Sequence, residues 1–504
     1  MTNPLYDRLF APLASRDSDL LLLADGSAIS GRAFLSRVHR LANALVAAGL
    51  TPGDRLAVQV EKSPEALALY GACVAAGVVF LPLNTAYTAA ELEYFITDSE
   101  AGAVICGPAA EKTVRGITSV PVLTLDAAGQ GTLTDAADAA ADSFSPVDRA
   151  RDDLAALLYT SGTTGRSKGA MLSQWNLLSN TEVLVTEWRF TDADILLHSL
   201  PIFHTHGLFV ASNVVLASGG TMVFLPRFDA DTVIKWLPRV TSMMGVPTFY
   251  TRLLSDARFM KDLTANMRLF TSGSAPLLAE THREFEARTG HRILERYGMT
   301  ETSMNTSNPY DGERRAGTVG FPLDGVEIEV RDPDTGNPMP AGEIGVLWVR
   351  GPNVFKGYWQ MPEKTAEELR EDGFFITGDL GLIDDRGYIH IVGRGKDLII
   401  SGGYNIYPKE IELFLDDLPG VLESAVIGAP HPDFGESVVA VLVPEAGATL
   451  DADAVLEAVS RDMAGFKRPR RVEIVDALPR NTMGKVQKAQ LRETYADAFQ
   501  PAKA

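Results

Sequence analysis

The strongest chemical signal in this sequence is a run of small and hydroxylated residues with one lysine, YTSGTTGRSKG, at residues 159–169. A strand that opens into such a loop offers backbone N–H groups, hydroxyl donors and the charge of its lysine to phosphate oxygens. It is not a Walker A loop, because only two residues separate Gly162 from Gly165, and Gly169 follows Lys168. The run predicts a phosphate-binding loop, with a flexible surface loop as the alternative. The candidate phosphate contacts are Thr160, Ser161, Gly162, Thr163, Thr164, Gly165 and Lys168.

Five further motifs follow in the rest of the chain. They are ERYGMTE at 295–301, TGD at 377–379, VGRGKD at 392–397, SGGYN at 401–405 and PRNTMGK at 479–485. Together with the loop, they resemble the adenylate-forming superfamily of acyl-CoA synthetases, peptide-synthetase adenylation domains and firefly-type luciferases. The resemblance covers nearly the whole chain. It implies that ATP activates a carboxylate as an acyl-adenylate, and that the thiol of coenzyme A then takes the acyl group and releases AMP.

The first of these steps brings a carboxylate against the α-phosphate of ATP, so the site must supply positive charge and a divalent cation, which predicts Mg²⁺. By resemblance, Thr300 donates to the α-phosphate, and Glu301 binds magnesium together with the ATP phosphates. A solvated acid is the alternative for Glu301. Asp379 and Arg394 resemble the ribose contacts, and Tyr297 would stack on adenine. The other ATP contacts implied are Gly273, Ser274, Ala275, Arg296, Gly298 and Met299.

The segments that resemble the acyl pocket of the family are short and polar. Their strings LPLNTAY at 81–87, PIFHTHG at 201–207 and GVPTFYTR at 245–252 resemble malonate–CoA ligases, which implies malonate or methylmalonate as the acid. The substrate contacts implied are Arg252 and Ser274 at the distal carboxylate, His204 beside the reacting carboxyl group, and His206 and Met304. The alternatives are a surface ion pair for Arg252, a core role for His206, and Arg283 as the carboxylate partner. Two histidines without a third ligand do not predict zinc.

The C-terminal motifs imply a second half reaction in the same pocket. By resemblance, Lys396 is the hinge about which a small C-terminal domain rotates, and Lys485 serves adenylate formation. The coenzyme A tunnel would be lined by Ser401, Gly402, Gly403 and Tyr404. The catalytic candidates are therefore Lys485, Thr300, Glu301 and His204. Acetylation would remove the charge of Lys485, so a lysine acetyltransferase is a predicted partner.

The elements that must position these residues follow an α/β pattern. Short β-rich runs alternate with helical patterns such as 31–48, where apolar residues recur at three- and four-residue steps before Gly49. This alternation predicts parallel sheets with flanking helices. After about residue 320, close turns predict a β-rich subdomain, and an α+β unit follows Arg394. We expect an N-terminal domain at 1–394 and a mobile C-terminal domain at 395–504.

Composition limits the remaining function classes. The 504 residues carry a net charge of −19, which disfavours nucleic acid as a partner. Cys73 and Cys106 sit in apolar strings and read as core residues of a protein from a reducing compartment. The N-terminus predicts no signal peptide and no stretch predicts a membrane span, so we expect a cytoplasmic enzyme. The alternatives are a ligase for another short acid and an adenylation enzyme that loads a carrier protein. The polar pocket disfavours a luciferase.

Overall fold

The computed structural model describes residues 2–160, 167–401, 404–463, 465–481 and 484–499. The chain divides into two compact units. The first comprises Met1–Glu327 and Val349–Phe375, and the second comprises Ile328–Trp348 and Ile376–Ala504. The predicted domain boundary at 394/395 falls inside the second unit and stays a prediction.

The first unit contains two largely parallel sheets in its described part. Its strands are β1 (Asp19–Leu22), β2 (Ala28–Ser30), β3 (Arg55–Gln59), β4 (Val79–Pro82), β5 (Ala101–Cys106), β6 (Val122–Thr124), β7 (Leu154–Thr160), β8 (Lys168–Ser173), β9 (Ile195–His198), β10 (Thr221–Phe224), β11 (Ser242–Gly245), β12 (Leu269–Ser272), β13 (Leu294–Met299), β14 (Ser303–Ser307) and β15 (Phe321–Pro322). The sheet orders are β6-β5-β3-β4-β7-β8 and β15-β14-β13-β12-β11-β9-β10-β1-β2. Antiparallel neighbours join at β1–β2, β7–β8 and β13–β14–β15.

Helices flank these sheets. They are α1 (Pro4–Leu9), α2 (Gly31–Ala47), α3 (Pro64–Ala76), α4 (Ala89–Asp98), α5 (Glu111–Ile117), α6 (Thr132–Asp138), α7 (Gln174–Glu187), α8 (Asn213–Ser218), α9 (Ala230–Trp236), α10 (Pro247–Leu254), α11 (Ala279–Thr289) and α12 (Pro362–Glu368). The Ser30 hydroxyl caps α2 by accepting from the Ala33 N–H at 3.2 Å, and Phe34, Val38 and Leu41 of that helix are buried. A π-helical turn, His206–Ser212, precedes α8.

The second unit contains strands of a four-stranded sheet, in which Phe375–Ile383 and Ile389–Arg394 are antiparallel, followed by a small α+β fold. The strands that form or border it are β16 (Glu327–Arg331), β17 (Gly345–Arg350), β18 (Phe375–Ile383), β19 (Ile389–Arg394), β20 (Ile399–Ser401), β21 (Tyr404–Ile406), β22 (Val421–His431), β23 (Gly435–Pro444) and β24 (Arg471–Ile474). Its helices are α13 (Pro408–Asp416), α14 (Ala452–Asp462) and α15 (Lys488–Thr494). The sheet orders are β16-β17-β18-β19 and β21-β20-β23-β22, with β24 beside β23.

The structure confirms the predicted fold class: parallel sheets with helices, a β-rich part and a C-terminal α+β part. Both cysteines are buried, as predicted. Across the described ranges, no helix combines the length and the apolar character that a bilayer crossing needs.

Candidate active site

The two ends of the predicted phosphate loop are paired strands. Thr160 ends β7 opposite Lys168 at the start of β8, so both are held at the mouth of the loop. Tyr94 donates to the Ser167 carbonyl at 2.7 Å and anchors the second end. The predicted contacts Ser161, Gly162, Thr163, Thr164 and Gly165 lie outside the described residues.

Lys168 lies in a network that sequence reasoning missed. Its ammonium is 3.1 Å from both carboxylate oxygens of Glu368 and 4.1 Å from the ring centroid of Tyr358. The Tyr358 hydroxyl lies 2.6 Å from Glu368 Oε2 and 3.2 Å from Glu301 Oε1. Because one O–H donates one proton, it cannot satisfy both carboxylates at once. Glu301, the predicted magnesium ligand, is thus connected to Lys168 through Tyr358.

The electrostatics of this network follow from burial and the two acids. Burial and the nearby charge of Glu301 and Glu368 raise the pKa of Tyr358 well above its ordinary value, so the phenol stays protonated. Burial raises the pKa of Glu368, but donation from Tyr358 and Lys364 and the charge of Lys168 outweigh it and leave that pKa low. Glu368 is therefore an anion that pairs with Lys168.

Glu301 fits a magnesium ion that takes most of its ligands from ATP. It is buried in the turn between β13 and β14, beside half-buried Thr300. The described residues contain no cluster of three or more His, Cys, Asp or Glu side chains that could hold a metal by themselves. Mg²⁺ is commonly held by one or two carboxylates and substrate phosphates. One buried carboxylate, connected through Tyr358 to Lys168 after the predicted phosphate loop, matches that donor set.

The ERYGMTE motif forms β13 and the turn after it. A side chain at Gly298 would lie 1.9 Å from the Ser303 carbonyl, so β13 and β14 can approach only because residue 298 is glycine. Tyr297 and Met299 are half-buried on the same strand, and the Tyr297 hydroxyl is 3.6 Å from Met299 Sδ. Met304, a predicted substrate contact, is buried on β14.

Gly273, Ser274 and Ala275 begin the loop that leaves β12. Ser274 has a φ of +69°, a left-handed conformation that non-glycine residues seldom adopt. Its hydroxyl lies 3.3 Å from Nδ1 of His206, so the structure brings these two predicted residues together. A side chain at Gly273 would lie 2.2 Å from Nη1 of Arg296. Arg296 therefore packs directly against this loop.

Arg296 is a buried cation, only 4% exposed. Its Nε and Nη2 atoms have no hydrogen-bond partner among the described residues, and no carboxylate there pairs with it. Burial lowers the pKa of Arg296 to about 9, so the group remains cationic at neutral pH. A buried, unpaired guanidinium is destabilising unless a ligand completes it.

His204 and His206 lie at the start of the π-helical turn. The His206 N–H donates to Nδ1 of His204 at 3.2 Å. Burial, and then the charge of Arg296, hold the pKa of His206 well below its usual range, so its ring is neutral. Its Nε2 atom is buried without a partner in the described part of the chain. His206 thus has one ring nitrogen available to a ligand.

The two other arginines considered for the acid are exposed. Arg252 lies on α10 and lines a shallow surface depression with Asp229 and Asp256. Arg283 is exposed on α11. No contact joins either arginine to Ser274 in the described structure, and both stay predictions as partners of a carboxylate.

In the second unit, Asp379 and Arg394 face each other across β18 and β19. Arg394 Nε lies 2.6 Å from Asp379 Oδ1, and Asp379 is buried. Thr377 accepts from the Asp379 N–H at 3.0 Å and fixes the local backbone. The predicted ribose contacts therefore form one ion pair in this structure.

Lys485 lies in a tight loop before α15. The Asn481 N–H donates to the Lys485 carbonyl and the Lys485 N–H to Asn481 Oδ1, both at 2.9 Å. Desolvation of its ammonium, and then the charge of Arg394, lower the pKa of Lys485, while Asp379 opposes this. The second unit thus places the predicted catalytic lysine near the predicted ribose contacts.

The predicted hinge and coenzyme A residues lie between these elements. Lys396 lies in a one-turn helix, Gly395–Asp397, directly after β19. Desolvation lowers the pKa of Lys396. Ser401 pairs with Tyr404 at the end of the β20–β21 hairpin. Gly402 and Gly403 lie outside the described residues.

Comparisons with known proteins define the class to which this fold and site belong. Residues 13–359 match the family model for AMP-binding enzymes, and residues 410–485 match that for the AMP-binding enzyme C-terminal domain. The chain therefore belongs to the AMP-binding, adenylate-forming enzyme family. It is an AMP-forming acid–CoA ligase that uses ATP and coenzyme A.

Individual relatives narrow the comparison. The chain is similar to the crystal structure of ATP-bound MatB from Rhodopseudomonas palustris, with 59% identity, a TM-score of 0.97, and coverage of 99% of this chain and 100% of that one. A feruloyl-CoA synthase from Amycolatopsis is 38% identical over 93% of this chain and 94% of its own. A malonate–CoA ligase from Arabidopsis thaliana is 34% identical over 88% of this chain and 79% of its own.

Proposed function

We propose that this enzyme ligates malonate to coenzyme A through malonyl-adenylate and releases AMP and pyrophosphate. The observation that carries the choice of acid is Arg296, a buried guanidinium with no carboxylate partner among the described residues. Methylmalonate has the same two carboxylates and is a second substrate of the same class.

A dicarboxylate can form an ion pair with Arg296 through the carboxylate that does not react. One carboxylate of malonate must react with ATP, and the other enters the pocket as an anion. Charge-assisted hydrogen bonds to a guanidinium are the strongest contacts a carboxylate makes, and two parallel ones fix its orientation. The free Nε and Nη2 atoms of Arg296 offer such donors. A neutral acyl tail would leave them buried and unpaired.

Ser274 and His206 support this assignment because they border Arg296. Arg296 packs against Gly273, and Ser274 contacts His206 at 3.3 Å. A hydroxyl and a ring nitrogen thus lie close to the guanidinium. Arg252 and Arg283, in contrast, are exposed, and an ion pair in water contributes little affinity.

The relatives support the acid only in part. The Arabidopsis relative is a malonate–CoA ligase at 34% identity, but the feruloyl-CoA synthase is 38% identical to this chain. Overall similarity therefore does not select the acid, and the pocket must. Feruloyl groups are large and aromatic, which a buried unpaired cation disfavours.

For the remaining residues we propose the roles that their motifs imply. Thr300 and Lys168 would bind the phosphates, and Glu301 would hold Mg²⁺, which neutralises phosphate charge. Asp379 and Arg394 would bind ribose, and Lys485 would stabilise the charge that develops as the carboxylate attacks. Ser401 and Tyr404 stay predictions for coenzyme A, and acetylation of Lys485 stays a prediction.

The test is AMP release over mono- and dicarboxylates of about two to eight carbons, with sulfoacetate as a second dianion. We expect wild type to prefer malonate. Arg296→Gln should lose at least about a hundredfold in kcat/KM for malonate, and less than about tenfold for butyrate. Arg252→Gln and Arg283→Gln are matched controls that remove an exposed arginine.

Three outcomes would contradict the proposal. If wild type prefers monocarboxylates, malonate is not its substrate. A malonate-selective loss in Arg252→Gln or Arg283→Gln, with Arg296→Gln unselective, would transfer the role to that arginine. A higher ATP KM with every acid in Arg296→Gln would assign Arg296 to the nucleotide. Butyrate-dependent pyrophosphate exchange by Arg296→Gln shows that its site is folded.

A further inference from the structure

A buried lysine and a buried histidine lie behind the π-helical turn. Lys62 follows β3 and is 8% exposed, and His198 ends β9 and is 1% exposed. The Lys62 ammonium lies 2.9 Å from His198 Nδ1 and 2.8 Å from the His198 carbonyl. It also lies 4.2 Å from the ring centroid of Phe224. No carboxylate pairs with Lys62 in the described ranges. Its polar partners are the ring and the carbonyl of His198, so the contact connects the end of β3 in one sheet to the end of β9 in the other.

The hydrogen bonds fix the tautomer of His198. Its Nε2 atom lies 2.8 Å from the Gly207 carbonyl, which can only accept, so Nε2 carries the proton. Burial, and then the charge of Lys62, hold the pKa of His198 well below its usual range, so the ring is neutral and Nδ1 is an acceptor. Burial also lowers the pKa of Lys62, but the amine and the ammonium both have an N–H to donate. Lys62 must therefore donate to Nδ1. Donation runs in one direction, from Lys62 through His198 to Gly207.

The carbonyl at the end of this path belongs to the turn that carries the two predicted site histidines. Gly207 directly follows His206, and its carbonyl also accepts from the Ser212 hydroxyl at 2.9 Å. The Gly207 and Leu208 N–H groups donate to the His204 carbonyl at 3.1 and 3.0 Å. A side chain at Gly207 would lie 2.0 Å from the Pro201 carbonyl, so the backbone has no room to shift that way. π-helical turns are frequent at functional sites.

We propose that Lys62 and His198 are positioning residues for the acid: they hold the Gly207 carbonyl so that His206 faces Ser274 and the carboxylate beside Arg296. This inference rests on the proposed function. Neither residue touches the reacting atoms. Their effect on the acid passes through the N–H at His198 Nε2, which lies 2.8 Å from the Gly207 carbonyl and 3.1 Å from the Ser212 hydroxyl.

Two substitutions at His198 separate that hydrogen bond from the rest of the side chain. Glutamine places an amide N–H near the position of Nε2 and keeps a donor to Gly207. Asparagine places an oxygen near the position of Nδ1, so it keeps an acceptor for Lys62 and loses the donor. His198→Asn should raise the KM for malonate at least about tenfold with the ATP KM within about twofold. His198→Gln should stay within about threefold of wild type.

Lys62→Met tests the other end of the path. It should raise the malonate KM as His198→Asn does, and the double variant should lose no more than the worse single variant, because both act through the same carbonyl. His291→Asn is the matched control, since His291 Nε2 contacts the Thr264 carbonyl at 3.1 Å away from this turn. That variant should change thermal stability without changing either KM.

Equal effects of asparagine and glutamine at position 198 would overturn the inference, and so would additive losses in the double variant or a rise in the ATP KM. If His198→Asn does not fold, Lys62→Met against His198→Gln gives the same comparison. If wild type prefers an acid other than malonate, the proposed function fails by itself. The order of the variants, measured with the preferred acid, then still decides whether His198 positions the turn.

Discussion

Asp416, at the end of α13, provides a quantitative test of electrostatics in the second unit. Its side chain is 10% exposed. Oδ1 accepts from the Ser424 hydroxyl at 2.7 Å, and Oδ2 lies 4.0 Å from the Lys409 ammonium. Burial raises the pKa of Asp416 to about 6, against partial compensation by Lys409 and Ser424, and the nearby charge of Glu412 adds to the rise.

The sign and size of the stability effect follow from that pKa. The ordinary value is 3.8, so the folded state binds the proton more tightly than the unfolded chain does. Proton binding at Asp416 therefore contributes to the free energy of unfolding. That contribution is fully present below about pH 4 and is lost as pH rises through about 6. Two units correspond to at most about 3 kcal/mol at 1.36 kcal/mol per unit. Asp416→Asn removes the charge and should stabilise the unit by about 1–3 kcal/mol near pH 7.5.

The assay is hydrogen exchange of β22 and β23 amides at about pH 4.5, 6 and 7.5, because it reads the free energy of opening locally. The advantage of Asp416→Asn over wild type should grow with pH, and at about pH 4.5 it should be roughly one third of its full size. Asp417→Asn, at the exposed neighbouring residue, should show no such trend. A constant difference, or one that grows toward low pH, would refute the reasoning.

Three further predictions concern the catalytic steps. Lys485→Ala should abolish adenylate formation from malonate and ATP but still convert prepared malonyl-adenylate and coenzyme A to thioester, measured as separate half reactions, since only the first step brings an anionic carboxylate against the α-phosphate; equal losses would make Lys485 structural. Lys168→Ala should reduce kcat/KM for ATP with every acid, by a factor that corresponds to a loss of about 2–3 kcal/mol of transition-state stabilisation. A change in acid preference alone would contradict the loop assignment. Tyr358→Phe removes the hydroxyl between Glu301 and Glu368, so it should raise the Mg²⁺ concentration for half-maximal activity with the malonate KM unchanged, and an unchanged Mg²⁺ titration would separate Tyr358 from the metal.

Local patterns predicted the elements well, because each pattern reports on its own residues. The apolar spacing at 31–48 predicted α2, which ends at Ala47. The helix α3 shows the limit: it is buried nearly all round, so periodicity cannot reveal which face it packs.

The site was harder to predict because its contacts join distant residues. Glu368 lies 200 residues from Lys168, and Lys62 lies 136 residues from His198. The motif that contains Arg296 predicted a nucleotide contact, and no sequence pattern indicated that this arginine is buried without a carboxylate partner among the described residues. The side chain type of Arg252 favoured it as the carboxylate partner, but exposure depends on which face of α10 points outward. Arg296 differs from Arg252 and Arg283 because its guanidinium is buried and its Nε and Nη2 atoms have no partner in the described structure.

The surroundings of Lys485 have a consequence for the order of the reaction. Arg394, Lys396 and Lys485 lie close enough to influence one another, while the paired acids nearby are Asp379 with Arg394 and Asp397 with Arg492. This leaves an excess of positive charge that a polyphosphate would neutralise, so nucleotide binding should weaken as salt concentration rises. When pyrophosphate departs, the repulsion returns while the adenylate is still bound. If Lys485 serves adenylate formation, as its motif predicts, electrostatic repulsion would then favour its departure from the reaction centre once that half reaction is complete, which would give the two steps a direction.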